Sequence, residues 1–180
     1  MEQKLEIILA LLKFKESHVR GIAKIINQPH ANISRALNTL LKENIVDFKI
    51  QGKNKTFFLK KNTKTLNYIY IAEHYKLLKL IKKHSHLSVL FDSILSKTRT
   101  KLIILFGSYA KSSAKKESDI DIYIKTNKKT TQEKIEDINS KISVKIGKFD
   151  KNNLLIKEII KDHVILRGVE YFYEKNKIFN

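Results

Sequence analysis

The sequence of 180 residues contains no cysteine and a single proline, Pro29. Without cysteine the chain can form neither a disulfide framework nor a thiolate metal site. Five glycines and one proline are too few for a long flexible linker. No apolar run approaches the ~20 residues that cross a bilayer, and the first residues, MEQKLEIILALLKFKE, carry acids and periodic polar positions that a signal peptide lacks. We therefore expect a cytoplasmic protein with no membrane partner.

Acidic residues are also scarce, with 18 Asp and Glu against 36 Lys and Arg, and the formal net charge is +18. A surplus of this size favours a polyanionic partner, because each neutralised phosphate releases counterions. The many Ile, Asn and Lys residues suggest a second explanation, which is the lysine-rich composition of proteins from AT-rich genomes. Composition alone fits both explanations.

The first 62 residues have the pattern of three helices followed by a hairpin. Apolar residues recur at helical spacing over about 3–14, 17–27 and 31–43, with Ser17 as the expected cap of the second helix. Two β-prone runs, IVDFKI and TFFLK, are joined by QGKNK, whose Gly and Asn are typical of a hairpin turn. The segment ISRALNTLLKENIV resembles the recognition helix and following strand of winged-helix transcriptional regulators. The resemblance predicts a winged helix-turn-helix over residues 1–62.

The same region carries the charge and the side chains that suit double-stranded DNA. Residues 1–64 hold 13 Lys and Arg against 5 Asp and Glu. Polar side chains on the outward face of the third helix can contact base edges in a major groove, and lysines at the hairpin tip suit phosphate or minor-groove contacts. The predicted DNA-binding residues are Asn32, Ser34, Arg35, Asn38, Lys53 and Lys55. The alternative is a solvated polar face on a module that docks to protein.

Residues 63–98 are predicted to form a helical connector between two domains. Apolar and aromatic residues from Tyr68 to Ile81 recur at helical spacing, which is typical of core or dimer packing, and we expect a homodimer. His84 and His86 stand close together in KHSH. Two histidines without a third ligand rarely form a metal site.

From residue 99 the pattern becomes that of a small α/β domain, predicted over residues 99–180. The segments KLIILF, DIDIYI and KISVKI have the composition of strands, whereas TTQEKIEDINSKI and KNNLLIKEIIKDH have that of helices. A short VILRG segment and a helical tail ending near Tyr173 follow. The predicted fold class is therefore α+β, with a winged helix-turn-helix, a helical connector and a small α/β domain in order.

Two aspartates, Asp119 and Asp121, flank Ile120 in the second of these strands. On a strand they would project from one face at roughly 6.5–7 Å, where two carboxylates repel each other unless a cation lies between them. Mg²⁺ prefers oxygen ligands and retains positions for substrate phosphates. Gly107 and Ser108 follow the preceding strand, where a glycine lets a phosphate approach the backbone and the serine hydroxyl offers a further donor. These features predict a site for a nucleoside triphosphate and metal.

The segment FGSYAKSSAKKESDIDIYI resembles the signature of the polymerase-β-like nucleotidyltransferases in its minimal form, G-S-x10-D-x-D. The resemblance covers about residues 99–173, because LLIKEIIKDHVILRGVEYF is similar to the C-terminal end of that family. It implies that Gly107 and Ser108, with Ser118, bind the triphosphate of an NTP, probably best satisfied by ATP. It also implies that Asp119 and Asp121 are catalytic and hold Mg²⁺ or Mn²⁺. Minimal nucleotidyltransferases of this kind often act as antitoxins that adenylylate a HEPN-type RNase toxin, so such a toxin is an expected partner.

The sequence departs from the family pattern at the third strand. The family usually carries a third carboxylate there, but KISVKI offers Ser143 or Lys145. Glu136, Asp137 and Asp150 do not fit that position, and Ser112 replaces a glycine that is common after the GSYA turn. Three functions remain open: a Mg²⁺-dependent nucleotidyltransferase with a DNA-binding domain, a transcriptional regulator whose degenerate domain senses nucleotide, and a structural module of a toxin–antitoxin complex. The missing carboxylate leaves the enzymatic activity undecided.

Overall fold

The computed structural model describes residues 1–176, and the chain divides after Tyr75 into two compact units, called here the first unit and the second unit. The division falls within one long helix, so the predicted connector at 63–98 does not form a unit of its own. Ile69 and Ala72 are buried in the first unit, whereas Leu80 belongs to the hydrophobic core of the second. Over residues 1–176, no helix has the length and apolar character needed to span a membrane.

The first unit combines helices with a three-stranded antiparallel sheet in the order β1-β3-β2. Its elements are α1 (Glu2–Phe14), β1 (Glu16–His18), α2 (Val19–Ile26), α3 (His30–Lys42), β2 (Val46–Gln51), β3 (Asn54–Leu59) and the beginning of α4 (Thr63–Lys83). The three helices and the hairpin therefore occur in the predicted order. Their apolar faces form a core that includes Ile8, Leu11, Ile22, Ile33, Leu37 and Leu40.

Left-handed asparagines end two of these helices. Asn27 follows α2 with φ 52°, and Asn44 has φ 62° two residues after α3. Asparagine tolerates this conformation because its short side chain can form local hydrogen bonds. The prediction that Ser17 caps α2 is wrong. Ser17 lies in β1 opposite Phe57, and the residue that precedes α2 is His18, because pairing with β3 keeps the chain extended up to that point.

The second unit contains a four-stranded mixed sheet in the order β6-β5-β4-β7. Strand β4 pairs antiparallel with β5 and β7, whereas β5 and β6 are parallel. The VILRG segment thus contributes an edge strand. The elements are α5 (His86–Lys97), β4 (Ile103–Phe106), α6 (Gly107–Ala110), β5 (Ile120–Ile124), α7 (Lys129–Glu136), β6 (Ile142–Ile146), α8 (Leu154–Lys161), β7 (Val164–Arg167) and α9 (Val169–Asn176).

One face of this sheet forms the main hydrophobic core with α5 and α7. Alternate strand residues such as Leu105, Ile122 and Val144 are fully buried there against Phe91 and Ile135. The residues between them point to the opposite face, because side chains alternate along a strand. On that face Tyr123 packs near Phe149 and donates a hydrogen bond to the carbonyl of Gly147 at 2.9 Å. Asp121, two residues before Tyr123, therefore belongs to the second face.

Candidate functional site

Gly107 is the point at which β4 ends and α6 begins, and its backbone adopts φ +70°. A Cβ atom at this position would lie 2.0 Å from Oδ2 of Asp121. The register explains the closeness, since Phe106 pairs with Asp121 across the antiparallel strands. Any side chain at position 107 would therefore occupy the space of the Asp121 carboxylate. The glycine of the G-S pair and the second aspartate of the D-x-D are thus direct neighbours.

The two aspartates occupy different environments. Asp121 is half-buried within β5, whereas Asp119 is exposed and precedes the strand, which begins at Ile120. The prediction that both aspartates lie on one strand is corrected to this extent, because the turn before β5 continues through residue 119. Ile120 and Ile122 are buried in the core as expected.

Burial raises the pKa of the Asp121 carboxyl, and the negative charge of Asp119 raises it further. The positive charge of Lys145 lowers this pKa, Glu158 raises it, and Lys111 lowers it. The ionised form of Asp121 is therefore disfavoured by its surroundings when no cation is bound. Carboxylate oxygens are the donors that Mg²⁺ prefers, so a divalent cation fits Asp119 and Asp121 chemically. In the described part of the chain, no group of three or more His, Asp or Glu side chains is arranged as a metal site.

The two predicted nucleotide-binding serines have different local roles. Ser108 lies in the first turn of α6 beside Gly107, and its carbonyl accepts a hydrogen bond from the backbone N–H of Ser113 at 3.0 Å. Ser118 closes the turn before Asp119: its hydroxyl accepts from the backbone N–H of Lys115 at 2.8 Å, and its own N–H donates to the Lys115 carbonyl at 3.1 Å. Ser118 thus shapes the turn that delivers Asp119, while its contact with nucleotide stays a prediction.

Ser143 lies in parallel register with Asp121, and both residues are half-buried. Residues paired in this way project to the same face of a sheet. Ser143 therefore occupies the position beside Asp121 on the neighbouring strand where the family pattern leads us to expect a third carboxylate. Lys145 lies two residues further on, is exposed, and pairs with Tyr123.

Glu136 has a structural role at the edge of the sheet. Its Oε1 accepts a hydrogen bond from the N–H of Val144 at 3.0 Å, and Gln132 donates to the Val144 carbonyl at 3.0 Å. Helix α7 thereby satisfies the open edge of β6, which is the outermost strand on that side. This contact supports the prediction that Glu136 does not replace the missing carboxylate.

Sequence reasoning missed two charged residues beside this site. Lys111 follows α6, and its Nζ lies 2.5 Å from Oε1 of Glu158 on α8. Glu158, Asp162 and Asp121 all raise the pKa of the Lys111 ammonium, with Glu158 as the largest cause. The two residues are 47 positions apart in sequence, so only the packing of α8 near α6 reveals the pair. No short motif carries that signal.

The first unit separates the predicted DNA-binding residues into two groups along α3. Ser34 and Asn38 line a cavity of about 410 Å³ together with Arg20, His30 and Lys55. Asn32 and Arg35 line a second cavity, of about 410 Å³, with Gln3 and Lys4 of α1.

Individual contacts orient three of these side chains. Arg35 donates from Nη2 to Oδ1 of Asn32 at 2.7 Å. The Nζ of Lys55 lies 4.2 Å from the ring centroid of Phe48, while Lys53 is exposed beside the hairpin glycine, Gly52. The polar surface of α3 thus continues onto the hairpin through Lys55.

Comparison with known proteins gives two matches, both to the second unit or to part of the chain of similar length. Residues 91–177 match the family model for polymerase beta nucleotidyltransferases. A curated protein of Methanocaldococcus jannaschii, named "Putative protein adenylyltransferase", is 39% identical over 84 residues, which cover 43% of this chain and 67% of the relative. No solved structure gives a significant match.

Proposed function

The chain belongs to the polymerase beta nucleotidyltransferase family, and on that basis we propose that it transfers a nucleoside monophosphate, AMP in the first instance, from an NTP to a hydroxyl group on a protein. The observation that carries the proposal is the contact between Gly107 and the half-buried Asp121 carboxylate, with Asp119 two residues before it. A glycine backbone beside a carboxylate leaves room for a phosphate and a cation at the same place. The name of the archaeal relative favours a protein as acceptor.

The residues have separate roles in this reaction. Asp119 and Asp121 would hold Mg²⁺ or Mn²⁺, which neutralises phosphate charge in such sites. Gly107 and Ser108 would contact the triphosphate through the backbone and the serine hydroxyl, and Ser118 would fix the turn that positions Asp119. The acceptor oxygen bonds to the α-phosphorus, the bond from the α-phosphorus to the bridging oxygen of the β-phosphate breaks, and pyrophosphate leaves. The acceptor hydroxyl loses its proton to water.

Ser143 accounts for that route of proton loss. It stands in register with Asp121 and cannot act as a carboxylate base. Transfer is therefore proposed to be slow, since a positioned general base contributes roughly 10²–10⁴-fold. Ser143→Asp should raise metal affinity and increase the transfer rate, whereas Ser143→Ala should not.

We further propose that the first unit is a winged helix-turn-helix that binds double-stranded DNA. The order of α1, α2, α3 and the β2–β3 hairpin supports this, as does the cavity that α3 shares with Arg20 and Lys55. A nucleotide-sensing transcriptional regulator with a degenerate second unit is the competing function, favoured by Ser143. The observation that separates the two is whether label is transferred at all.

The proposed partners are a HEPN-type toxin as acceptor and a second copy of this chain. Exposed apolar side chains on α4, Ile71 at 48% and Leu78 at 64%, support a contact with protein along that helix. Size measurement by light scattering, alone and with the candidate toxin, tests both partners. A strictly monomeric chain that ignores the toxin would contradict this part of the proposal.

Incubation with Mg²⁺, candidate acceptors and ATP labelled at the α-phosphate tests the enzymatic function. Label should appear on the acceptor, and Asp121→Asn should abolish it. ATP labelled at the γ-phosphate is the matched control and should leave the acceptor unlabelled, because pyrophosphate leaves. Transfer of the γ-label, or undiminished transfer by Asp121→Asn, would contradict the proposal. Nucleotide binding without transfer would favour the regulator.

A further inference from the structure

The Lys111–Glu158 ion pair joins the segment after the Gly107–Ser108 turn to helix α8. The Nζ–Oε1 distance is 2.5 Å, and the side chains are 41% and 52% exposed. Exposed ion pairs contribute little to stability, with a median of about 0–1 kcal/mol. The location of the pair is more informative than its strength, because it lies on the side of the site where the triphosphate is proposed to bind.

Both members of the pair act electrostatically on Asp121. The negative charge of Glu158 raises the pKa of Asp121, and the positive charge of Lys111 lowers it. Asp119 and Glu158 are the two carboxylates identified as raising that pKa. Glu158 is therefore the charged neighbour best placed to act beside the two aspartates, although it lies on a helix instead of the third strand.

The neighbouring strand supplies no competing carboxylate. Ser143 occupies the register position of Asp121 on β6, and Glu136 is engaged by Val144 at the sheet edge. A two-aspartate site is thus short of one negative oxygen donor for a divalent cation bound with a triphosphate. Glu158 has that donor, and Lys111 holds it.

We propose that Glu158 is the third carboxylate of the cation site and that Lys111 restrains it until the triphosphate of an incoming nucleotide binds Lys111 in its place. Lysine is a compact charge on a flexible stem, so it can move from a carboxylate to a phosphate without rearranging the backbone. The exchange couples nucleotide binding to completion of the cation site. It rests on the proposed function, since it requires that Asp119 and Asp121 hold a divalent cation.

The test is a double-mutant cycle on Mn²⁺ affinity, measured by electron paramagnetic resonance on the full chain. The variants are Glu158→Gln, Lys111→Gln and the double variant. Each is titrated with Mn²⁺ alone and with Mn²⁺ plus α,β-methylene-ATP, whose α–β link cannot be cleaved. The readout is therefore binding, independent of turnover.

With the ATP analogue, Glu158→Gln should weaken Mn²⁺ binding by about tenfold, the lower range for losing a group that supports a metal site. With Mn²⁺ alone, Lys111→Gln should tighten binding, because Glu158 is released. That gain should disappear when Glu158 is already Gln. If Lys111→Gln gives the same gain with and without Glu158, the effect is only the loss of a nearby positive charge, and the proposal is overturned.

The Lys49–Glu16 pair in the first unit is a matched control, with a distance of 2.6 Å and exposures of 47% and 40%. Lys49→Gln and Glu16→Gln should leave Mn²⁺ affinity unchanged. Asp121→Asn separates this inference from the proposed function. If the wild type binds Mn²⁺ through Asp121 but Glu158→Gln has no effect with the analogue, this inference alone fails. If Asp121→Asn binds Mn²⁺ as well as the wild type, the proposed function fails with it.

Discussion

Gly52 in the first unit and Gly107 in the second both adopt positive φ, at +59° and +70°, but their surroundings differ. A Cβ on Gly52 would meet nothing within 4 Å, whereas a Cβ on Gly107 would lie 2.0 Å from an oxygen of Asp121. The first glycine answers only to backbone conformation at a hairpin turn. The second answers also to a carboxylate on the neighbouring strand. A positive φ by itself therefore does not identify a functional glycine.

The candidate functional side chains follow the same contrast. Asp121 and Ser143 are half-buried and fixed by strand pairing, whereas Arg35, Asn38 and Lys53 are exposed on a helix and a turn. Changes in the second unit should thus affect stability and binding together. Changes in the first unit should alter binding with little effect on folding.

The largest expected effect is that of Gly107→Ala. The new methyl group conflicts with the Asp121 carboxylate and the residue must also remain at positive φ, so we expect the second unit to lose roughly 2–5 kcal/mol of unfolding free energy. Gly52→Ala is the matched comparison and should cost about 1–2 kcal/mol, from the backbone term alone. Chemical denaturation monitored by circular dichroism measures both. Equal losses would show that the Asp121 contact has no structural consequence.

The second prediction concerns Asp121→Asn. Burial and Asp119 raise the pKa of Asp121 in the folded protein. Its stabilising contribution is therefore complete below the unfolded pKa and lost as the pH rises through the folded value. Without metal, the Asn variant should be more stable than the wild type at pH 7, and the difference should vanish in acid.

Added Mg²⁺ should reverse that order. Ligands that bind the native state stabilise it, so Mg²⁺ should raise the melting temperature of the wild type and leave Asp121→Asn unchanged. Melting curves at pH 4 and pH 7, with and without Mg²⁺, provide the measurement. A variant that is less stable than the metal-free wild type at pH 7 would refute the electrostatic account.

The third prediction tests the first unit by DNA binding. Arg35→Ala should cost about 1–3 kcal/mol on a preferred sequence and relax the preference, if Arg35 contacts a base. Lys53→Ala should weaken all duplexes about equally and reduce the salt dependence. Fluorescence anisotropy over a salt series measures both effects, with melting temperature as the folding control. The absence of duplex binding at low salt would eliminate DNA as a partner.

The smallest effect is expected at Ser112, which adopts φ +58° where the family pattern favours glycine. Ser112→Gly should stabilise the second unit by about 0.5–1 kcal/mol, because relief of the left-handed penalty exceeds the added entropy of the unfolded chain. Ser112→Ala retains the Cβ and should give no gain. Equal melting temperatures for the Gly and Ala variants would show that the backbone conformation carries no cost.

The sequence by itself determined the elements and the paired motif. Helical spacing located α1, α2 and α3, and the run IILF predicted a buried strand, because these patterns depend on neighbouring residues only. The sequence also predicted Asn44 as a left-handed residue after α3 and placed Gly107, Ser108, Asp119 and Asp121 in one motif. Such features follow from local backbone preferences and short spacing.

Tertiary structure alone decided which distant residues meet. Strand pairing with β3 drew Ser17 into β1, and the burial of α4 placed the boundary between the units at Tyr75 instead of at 62. The register of β5 and β6 put Ser143 beside Asp121, and the packing of α8 brought Glu158 to Lys111 across 47 positions of sequence. Long-range contacts of this kind depend on how faces are buried against one another, which no local pattern of residues encodes.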